Sequence, residues 1–216
     1  MSFNLLNRSF YDEMKIQKLQ EFAKLTGFSD GTDIQTLYPL LQNAQTIVEL
    51  GSGYGRGLAF LKQKGFLGKL IGIERAPHFV SYANEQLAGH SQSHCQDLME
   101  DIQIPHCDAL LWLWSGLMEF SADEQANRIH YFSQFLRPEG KFFIDLPFQE
   151  VSIVGEYQDE KSLILQQPWG KLYAFQPNDL DMDRFALKAQ LKVLSPIIYA
   201  TSKGYQRKIY IFQKPA

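Results

Sequence analysis

The sequence predicts one α/β domain built on a doubly wound sheet. Between Thr46 and Asp145, short apolar runs (TIVEL, LIGIE, DALLWLW, KFFID) alternate with amphipathic stretches. Each run is bounded by Gly, Pro or charge, as in strands buried on both faces, and helices between such strands imply right-handed crossovers. A glycine-rich segment, Gly51-Ser-Gly-Tyr-Gly-Arg-Gly57, follows the first run, where a strand of such a sheet passes into its helix. The length, 216 residues with 45% hydrophobic, suits a single core that needs no metal or disulfide staple.

Taken in order, the first third reads as helical cover. Met14, Ile16, Leu19, Phe22, Ala23 and Leu25 space a helix over Asp12 to Leu25, and Asp33 caps a second one running to Leu41, with Gly27, Gly31 and Pro39 as punctuation. The core follows: TIVEL with helix GLAFLKQKGF, LIGIE with PHFVSYANEQLAG, a short polar strand in SHCQDL, DALLWLW with ADEQANRIHYFSQFL, then RPEGKFFID. After Pro147 the pattern changes. SLILQQPWGKLYAFQ reads as a hairpin about Pro-Trp-Gly, Asn178 or Asp179 caps a helix through Phe185, and KVLSPIIYA and YQRKIYIFQK close the domain on either side of Ser202 to Gly204. The expected division is a helical cover over 1–45, a core over 46–147, a hairpin or lid insertion over 148–178, and a closing helix and strands over 179–216.

Composition excludes several classes. Lys and Arg number 21 against 24 Asp and Glu, a net charge of -3, so the basic face that nucleic-acid binding needs is not supported. Cys95 and Cys107 are the only cysteines and read as reduced. The opening MSFNLLNRSFYDEMK lacks an apolar core of signal-peptide length, and the longest apolar stretch, Ala109 to Met118, falls short of the roughly 20 residues of a bilayer span. A cytoplasmic protein without a membrane segment is expected. No metal is expected either, because the adjacent pairs His94-Cys95 and His106-Cys107 diverge along a strand and fit no zinc spacing. Lys203, Arg207 and Lys208 read as a solvated edge strand.

The glycine segment separates three nucleotide readings. A G-x-G-x-x-G fingerprint fails in both registers, since Arg56 and Leu58 stand where its third glycine belongs. A phosphate-binding G-x-x-x-x-G-K-[ST] is missing, because no Gly-Lys pair has the upstream glycine or the following hydroxyl residue. What remains is E-x-G-x-G-x-G, Glu49 through Gly55. This resembles the first motif of the class I S-adenosylmethionine-dependent methyltransferases. The chemistry agrees, because a cofactor carrying a sulfonium and an ammonium but no pyrophosphate calls for an acidic residue and no phosphate cradle.

The resemblance covers roughly residues 45–147 and, more loosely, the last two strands. It implies a Rossmann-like sheet, mostly parallel with an antiparallel last strand, and S-adenosyl-L-methionine as cofactor, leaving as S-adenosyl-L-homocysteine. It assigns Glu49, Gly51, Ser52, Gly53 and Gly55 to the cofactor loop. Glu74, 21 residues after Gly53, becomes the ribose ligand, with Arg75 beside it, and a dinucleotide enzyme would share that acidic position. Asp97 and Leu98 are assigned to the adenine, and Trp114 and Ser115 to the end of the fourth strand, beside cofactor and acceptor. Trp112 and Trp114 share one face of that strand, so one of them belongs to the core.

Methyl transfer mainly needs positioning, exclusion of water and removal of a proton. Candidate bases are Tyr11, Ser115, Asp145, His130 and Tyr173, with Asp145 best placed and also suited to capping or substrate binding; His130 reads as a helix surface residue. The Asn/Asp-Pro-Pro-aromatic motif of amino-methylating nucleic-acid and glutamine methyltransferases is absent, as WSGL stands in its place. The expected activity is methyl transfer to an O or N atom of a small molecule, under a lid formed by the N-terminal helices and the hairpin. Alternatives are methylation of a protein lysine or terminal amine, a non-catalytic regulatory protein that binds the same cofactor, and a nicotinamide oxidoreductase.

Overall fold

The structure, a computed structural model, describes residues 3–148 and 156–216. Three helices come first: α1 (Phe3–Asp12), α2 (Ile16–Thr26) and α3 (Thr32–Leu41). The helix expected over Asp12 to Leu25 is α2, which starts only at Ile16, after Lys15 turns extended (ψ 147°), and α1 over Phe3–Asp12 precedes it without having been expected as a separate helix. Met14 continues the apolar spacing ahead of Ile16 and conceals where α2 begins. Asp33 is not the cap of α3. Gly31 holds that position with φ 68°, and Asp33 lies buried in the first turn.

The core alternates as expected: β1 (Thr46–Leu50), α4 (Arg56–Gln63), β2 (Lys69–Glu74), α5 (Pro77–Gln86), β3 (Ser91–Cys95), β4 (Cys107–Trp112), a 3₁₀ turn (Gly116–Glu119), α6 (Ala122–Ser133) and β5 (Leu136–Pro147). A small antiparallel sheet follows, β6 (Glu156–Tyr157), β7 (Ser162–Gln167) and β8 (Gly170–Phe175), then α7 (Asp179–Lys188), β9 (Lys192–Ala200) and β10 (Gln206–Gln213). The main sheet has the order β3-β2-β1-β4-β5-β10-β9; β1 to β5 are parallel, and β10 is antiparallel to both neighbours. The order reverses between β1 and β4, and sheets of this kind bind ligands outside the carboxyl ends of the strands at such a reversal.

Strand alternation sends side chains to two apolar layers. Val48, Leu110, Trp112 and Phe142 pack with Phe79 of α5, Phe132 of α6 and Phe185 of α7 on one face. Ile47, Leu111, Phe143 and Ile209 pack with Leu37 of α3 and Leu58 and Leu61 of α4 on the other.

Two further differences from expectation have physical causes. The stretch holding Arg207 and Lys208 is not an edge: β10 lies between β5 and β9, both side chains are buried, and each pairs with an aspartate, Asp145 and Asp179. The hairpin expected about Pro-Trp-Gly is present, with Gln167 opposite Gly170, and Glu156 and Tyr157 add a short third strand to it. Residues 149–155 of the expected 148–178 insertion lie outside the described residues. Leu163, Leu165, Leu172 and Ala174 point inward from this small sheet.

Candidate functional site

A cavity of about 270 Å³ opens at the carboxyl ends of β1, β2 and β4. The glycine loop, Glu74, Asp97 and Leu98 line it together with residues of α1, α2, the 3₁₀ turn and the β7–β8 hairpin.

The loop's glycines divide into two pairs. Gly51 (φ 64°) and Gly53 (φ 53°) face the cavity: a Cβ on Gly51 would meet only Trp112 Nε1, at 4.0 Å, and one on Gly53 only Leu19, at 3.5 Å. Gly55 and Gly57 serve packing. A Cβ on Gly55 would stand 3.0 Å from Ala83 of α5, and one on Gly57 2.5 Å from the Glu49 carboxylate. Gly55 therefore lets loop and helix approach each other and, contrary to expectation, does not line the cavity. Ser52 lines it but turns its hydroxyl toward Gly72 and Ser93.

Glu49 is buried, and its Oε2 has no hydrogen-bond partner. Burial pushes its carboxyl up to about 8, against the pull of the Arg56 guanidinium and the Leu58 amide. Glu74 accepts from the Gly53 amide (2.9 Å) and the Ala76 amide (2.8 Å), which ties the loop to the end of β2; burial also raises its pKa. Arg75 donates to the Asn7 carbonyl at 2.8 Å and lies over the Tyr11 ring. Asp97 accepts from Arg8 (3.0 Å) and from the Met99 amide (2.9 Å). Glu49, Glu74, Asp97 and Leu98 thus come together around one cavity.

Trp112 and Trp114 separate as the strand ends. Trp112 is fully buried, parallel to Phe142 at 6.3 Å, with its Nε1 unpartnered. Trp114 leaves the strand with φ 49°, and Ser115 follows with φ 65°. Two consecutive side-chain-bearing residues in the left-handed region are strained and persist only where the surroundings hold them. Asp145 does so: its Oδ2 accepts from the Trp114 amide (3.0 Å) and its carbonyl from the Ser115 amide (3.1 Å). Trp114 then stacks on Phe22, with Phe28 and the Arg56 guanidinium against it, and forms a cavity wall.

Asp145 is consequently not placed as a base. Its carboxylate also accepts from Tyr199 (3.0 Å) and from Arg207 (2.7 and 3.2 Å), it is fully buried, and it does not line the cavity. Desolvation raises its pKa, with the Arg207 charge opposing. Ser115 lines the cavity, its hydroxyl accepting from Arg207 at 2.9 Å. Tyr173 points the other way along β8, packs on Phe3 and is not a lining residue; His130 is exposed on α6. A second buried pair, Asp33 with Arg56 (2.9 Å), ties α3 to the start of α4 behind the loop.

Tyr11 does reach the cavity, and donates its hydroxyl to Glu119 Oε1. Glu119, the last residue of the 3₁₀ turn, carries no other side-chain hydrogen bond among the described residues. Burial pushes its carboxyl up to about 7, against the Tyr11 hydroxyl and Arg75, with Glu74 adding to the rise. Burial and Glu119 in turn hold the Tyr11 phenol well above its ordinary value. Sequence reading missed Glu119. The signal was slight, one acidic residue in the apolar stretch SGLMEF that follows β4. Among the described residues no group of three His, Cys, Asp or Glu side chains could hold a metal, and no helix is long and apolar enough to cross a membrane.

No family model and no curated protein sequence matches the chain. Solved structures do. The chain is similar to the CcbJ methyltransferase of Streptomyces caelestis, at 15% identity over 99% of this chain and 98% of that one, with a TM-score of 0.70. It has the class I methyltransferase fold. It is also similar to CalS10 of Micromonospora echinaspora, an amino pentose methyltransferase with S-adenosylmethionine bound (14%, 93% and 97%, TM-score 0.68). A third is the Burkholderia thailandensis 1,6-didemethyltoxoflavin-N1-methyltransferase, solved with its acceptor and S-adenosylhomocysteine (14%, 90% and 81%, TM-score 0.64). In this fold the cavity at the β1/β4 reversal occupies the expected ligand position.

Proposed function

We propose that the protein is an S-adenosyl-L-methionine-dependent methyltransferase acting on an O or N atom of a small-molecule acceptor. The observation that carries this reading is the unpartnered Glu49 carboxylate oxygen beside Gly51 and Gly53, both open to the cavity. A carboxylate left unsatisfied at a glycine cradle suits a cationic ligand and opposes a pyrophosphate. Three more features support the fit. Glu74 offers acceptors for a ribose, Asp97 and Leu98 edge the same cavity for a purine, and Trp112 Nε1 has no partner. When bound, S-adenosyl-L-methionine supplies a methyl carbon already activated by its sulfonium and leaves as S-adenosyl-L-homocysteine. The chain's own part is to hold the acceptor in line, exclude water and accept a proton.

A small acceptor is favoured over a protein chain because α1, the 3₁₀ turn and the hairpin roof the remaining space with Phe10, Met118, Leu163 and Leu172. The named activities of the amino pentose and toxoflavin enzymes are small-molecule methylations, which supports the same reading.

Titration calorimetry with S-adenosyl-L-methionine, S-adenosyl-L-homocysteine and NAD tests it, after removal of carried-over ligand. The first two are expected to bind and NAD not. A Gly53→Arg variant, which fills the open side of the loop, is expected to melt cooperatively and to lose at least 100-fold in affinity. A folded Gly53→Arg protein with wild-type affinity sinks the site assignment.

A further inference from the structure

The cavity contains a chemical mismatch. Phe10, Met118, Leu163, Leu165, Leu172 and Trp169 give it apolar walls, yet Glu119 lines the same space. Its Oε1 takes the Tyr11 hydroxyl, and its Oε2 has no hydrogen-bond partner among the described residues. It forms no salt bridge there either, and a half-buried carboxylate among aromatic and aliphatic walls is costly unless a cation joins it. The Tyr11 hydroxyl and Arg75, which lies over the Tyr11 ring, are the groups near it that favour charge; Glu74 across the cavity opposes it. The net demand is for positive charge from a ligand.

We propose that Glu119 binds the amino group of an apolar, preferably aromatic, amine acceptor seated under the β7–β8 hairpin, and takes its proton. This rests on the methyltransferase reading and narrows the acceptor to one class. An alkylammonium matches the mismatch: its charge completes Glu119, its NH donors reach the open Oε2, and its apolar body lies against Phe10 and Trp169, whose rings also favour a nearby cation. An alcohol brings no charge, and a carboxylic acid meets Glu119 and Glu74 with the same sign.

The step balances. The ammonium gives one proton to the Glu119 carboxylate and keeps the N–H bonding pair as a lone pair. That pair forms the new N–C bond to the methyl carbon while the C–S bond breaks and its electrons go to sulfur. Positive charge passes from sulfonium to the methylated nitrogen, and the proton on Glu119 leaves to solvent after release. A carboxyl with its pKa near 7 suits a proton acceptor at neutral pH.

The test is calorimetric binding of 2-phenylethylamine and its uncharged counterpart 2-phenylethanol to protein saturated with S-adenosyl-L-homocysteine, for wild type, Glu119→Gln and Glu119→Asp. Wild type is expected to prefer the amine at least tenfold at pH 8, with the preference fading below pH 7 as Glu119 takes up a proton. Glu119→Gln is expected to lose the preference and its pH dependence while binding S-adenosyl-L-homocysteine within threefold of wild type. Glu119→Asp, which keeps the charge, is expected to retain part of it. Equal affinity for amine and alcohol in wild type overturns the proposal, as does a Glu119→Gln defect that falls on S-adenosyl-L-homocysteine. If wild type fails to bind S-adenosyl-L-homocysteine at all, the methyltransferase reading itself has failed, a result distinct from either.

Discussion

Glu49 shows how a single residue can link stability to function. Its carboxyl is held up to about 8 by burial, so the folded protein binds a proton there that the unfolded chain, with an ordinary glutamate, releases near pH 4.5. Where the folded state binds more protons, stability falls as pH rises; here the window runs from about 4.5 to about 8. A Glu49→Gln variant removes that proton, so its melting temperature is expected to vary less with pH across this window, while remaining close to wild type at the acid end. The cost falls on binding. A cation facing Glu49 favours its ionised form, and charge-assisted hydrogen bonds contribute about 1.5–3 kcal/mol, so Glu49→Gln is expected to weaken S-adenosyl-L-methionine binding roughly 10- to 100-fold at pH 8. Calorimetry alongside thermal melts from pH 5 to pH 9 checks both halves, and a variant with unchanged affinity would remove Glu49 from the site. Glu49 and the glycines were legible because their spacing is local to one strand-to-helix turn, and Glu74 because it ends the next strand, 21 residues after Gly53. Asp145 was misread and Glu119 missed for a shared reason. What each does depends on partners 31 to 108 residues away in sequence, the Trp114 amide, Tyr199 and Arg207 for Asp145 and Tyr11 for Glu119.

The elements covering the cavity depend on one buried asparagine. Asn7 of α1 donates to the Tyr173 carbonyl (2.8 Å) and the Glu119 carbonyl (3.2 Å), and accepts from the Tyr173 amide (2.7 Å). Its amide thus adds a strand-like partner to β8 and fastens the N-terminal helix to both the hairpin and the 3₁₀ turn. Asn7→Ala leaves buried backbone groups of Tyr173 without partners, a cost of about 1–3 kcal/mol. The loss is expected to be local. Hydrogen exchange should quicken at least tenfold in α1 and β8 while β1, β4 and β5 keep wild-type protection, because those strands lie in a sheet that Asn7 does not touch. Uniformly faster exchange would mean that α1 belongs to the global folding unit and is no separate cover. The covers were also the least legible elements. The main sheet announces itself through doubly buried apolar runs, whereas α1 was not read as a separate helix, Met14 hides the start of α2, and β6 is two residues, one exposed and one half-buried, recognisable as a strand only by its pairing with β7.

At the scale of the whole molecule, the cavity joins segments far apart in the chain: α1 and α2, the glycine loop, the ends of β2 and β4, the 3₁₀ turn, and the β7–β8 hairpin. A ligand held there binds the folded chain and not the unfolded one, and at 100 times its Kd it stabilises the fold by about 2.7 kcal/mol. For a domain of this size each kcal/mol raises Tm by roughly 2–4 °C, so saturating S-adenosyl-L-homocysteine is expected to raise the melting temperature by about 5–10 °C. Where protection falls distinguishes cofactor from acceptor. S-Adenosyl-L-homocysteine alone should slow exchange in the glycine loop and at the ends of β2 and β4, because Glu49, Glu74 and Gly53 meet there. Addition of 2-phenylethylamine should extend the slowing to the hairpin, whose Leu163, Leu165 and Leu172 line the cavity. If S-adenosyl-L-homocysteine alone protected the hairpin as strongly as both ligands together, one ligand would fill the whole cavity and no separate acceptor chamber would remain. A cofactor and an acceptor sharing this cavity require protection to arrive in two steps, the first following the loop legible in the sequence and the second following the hairpin that only the fold brings to it.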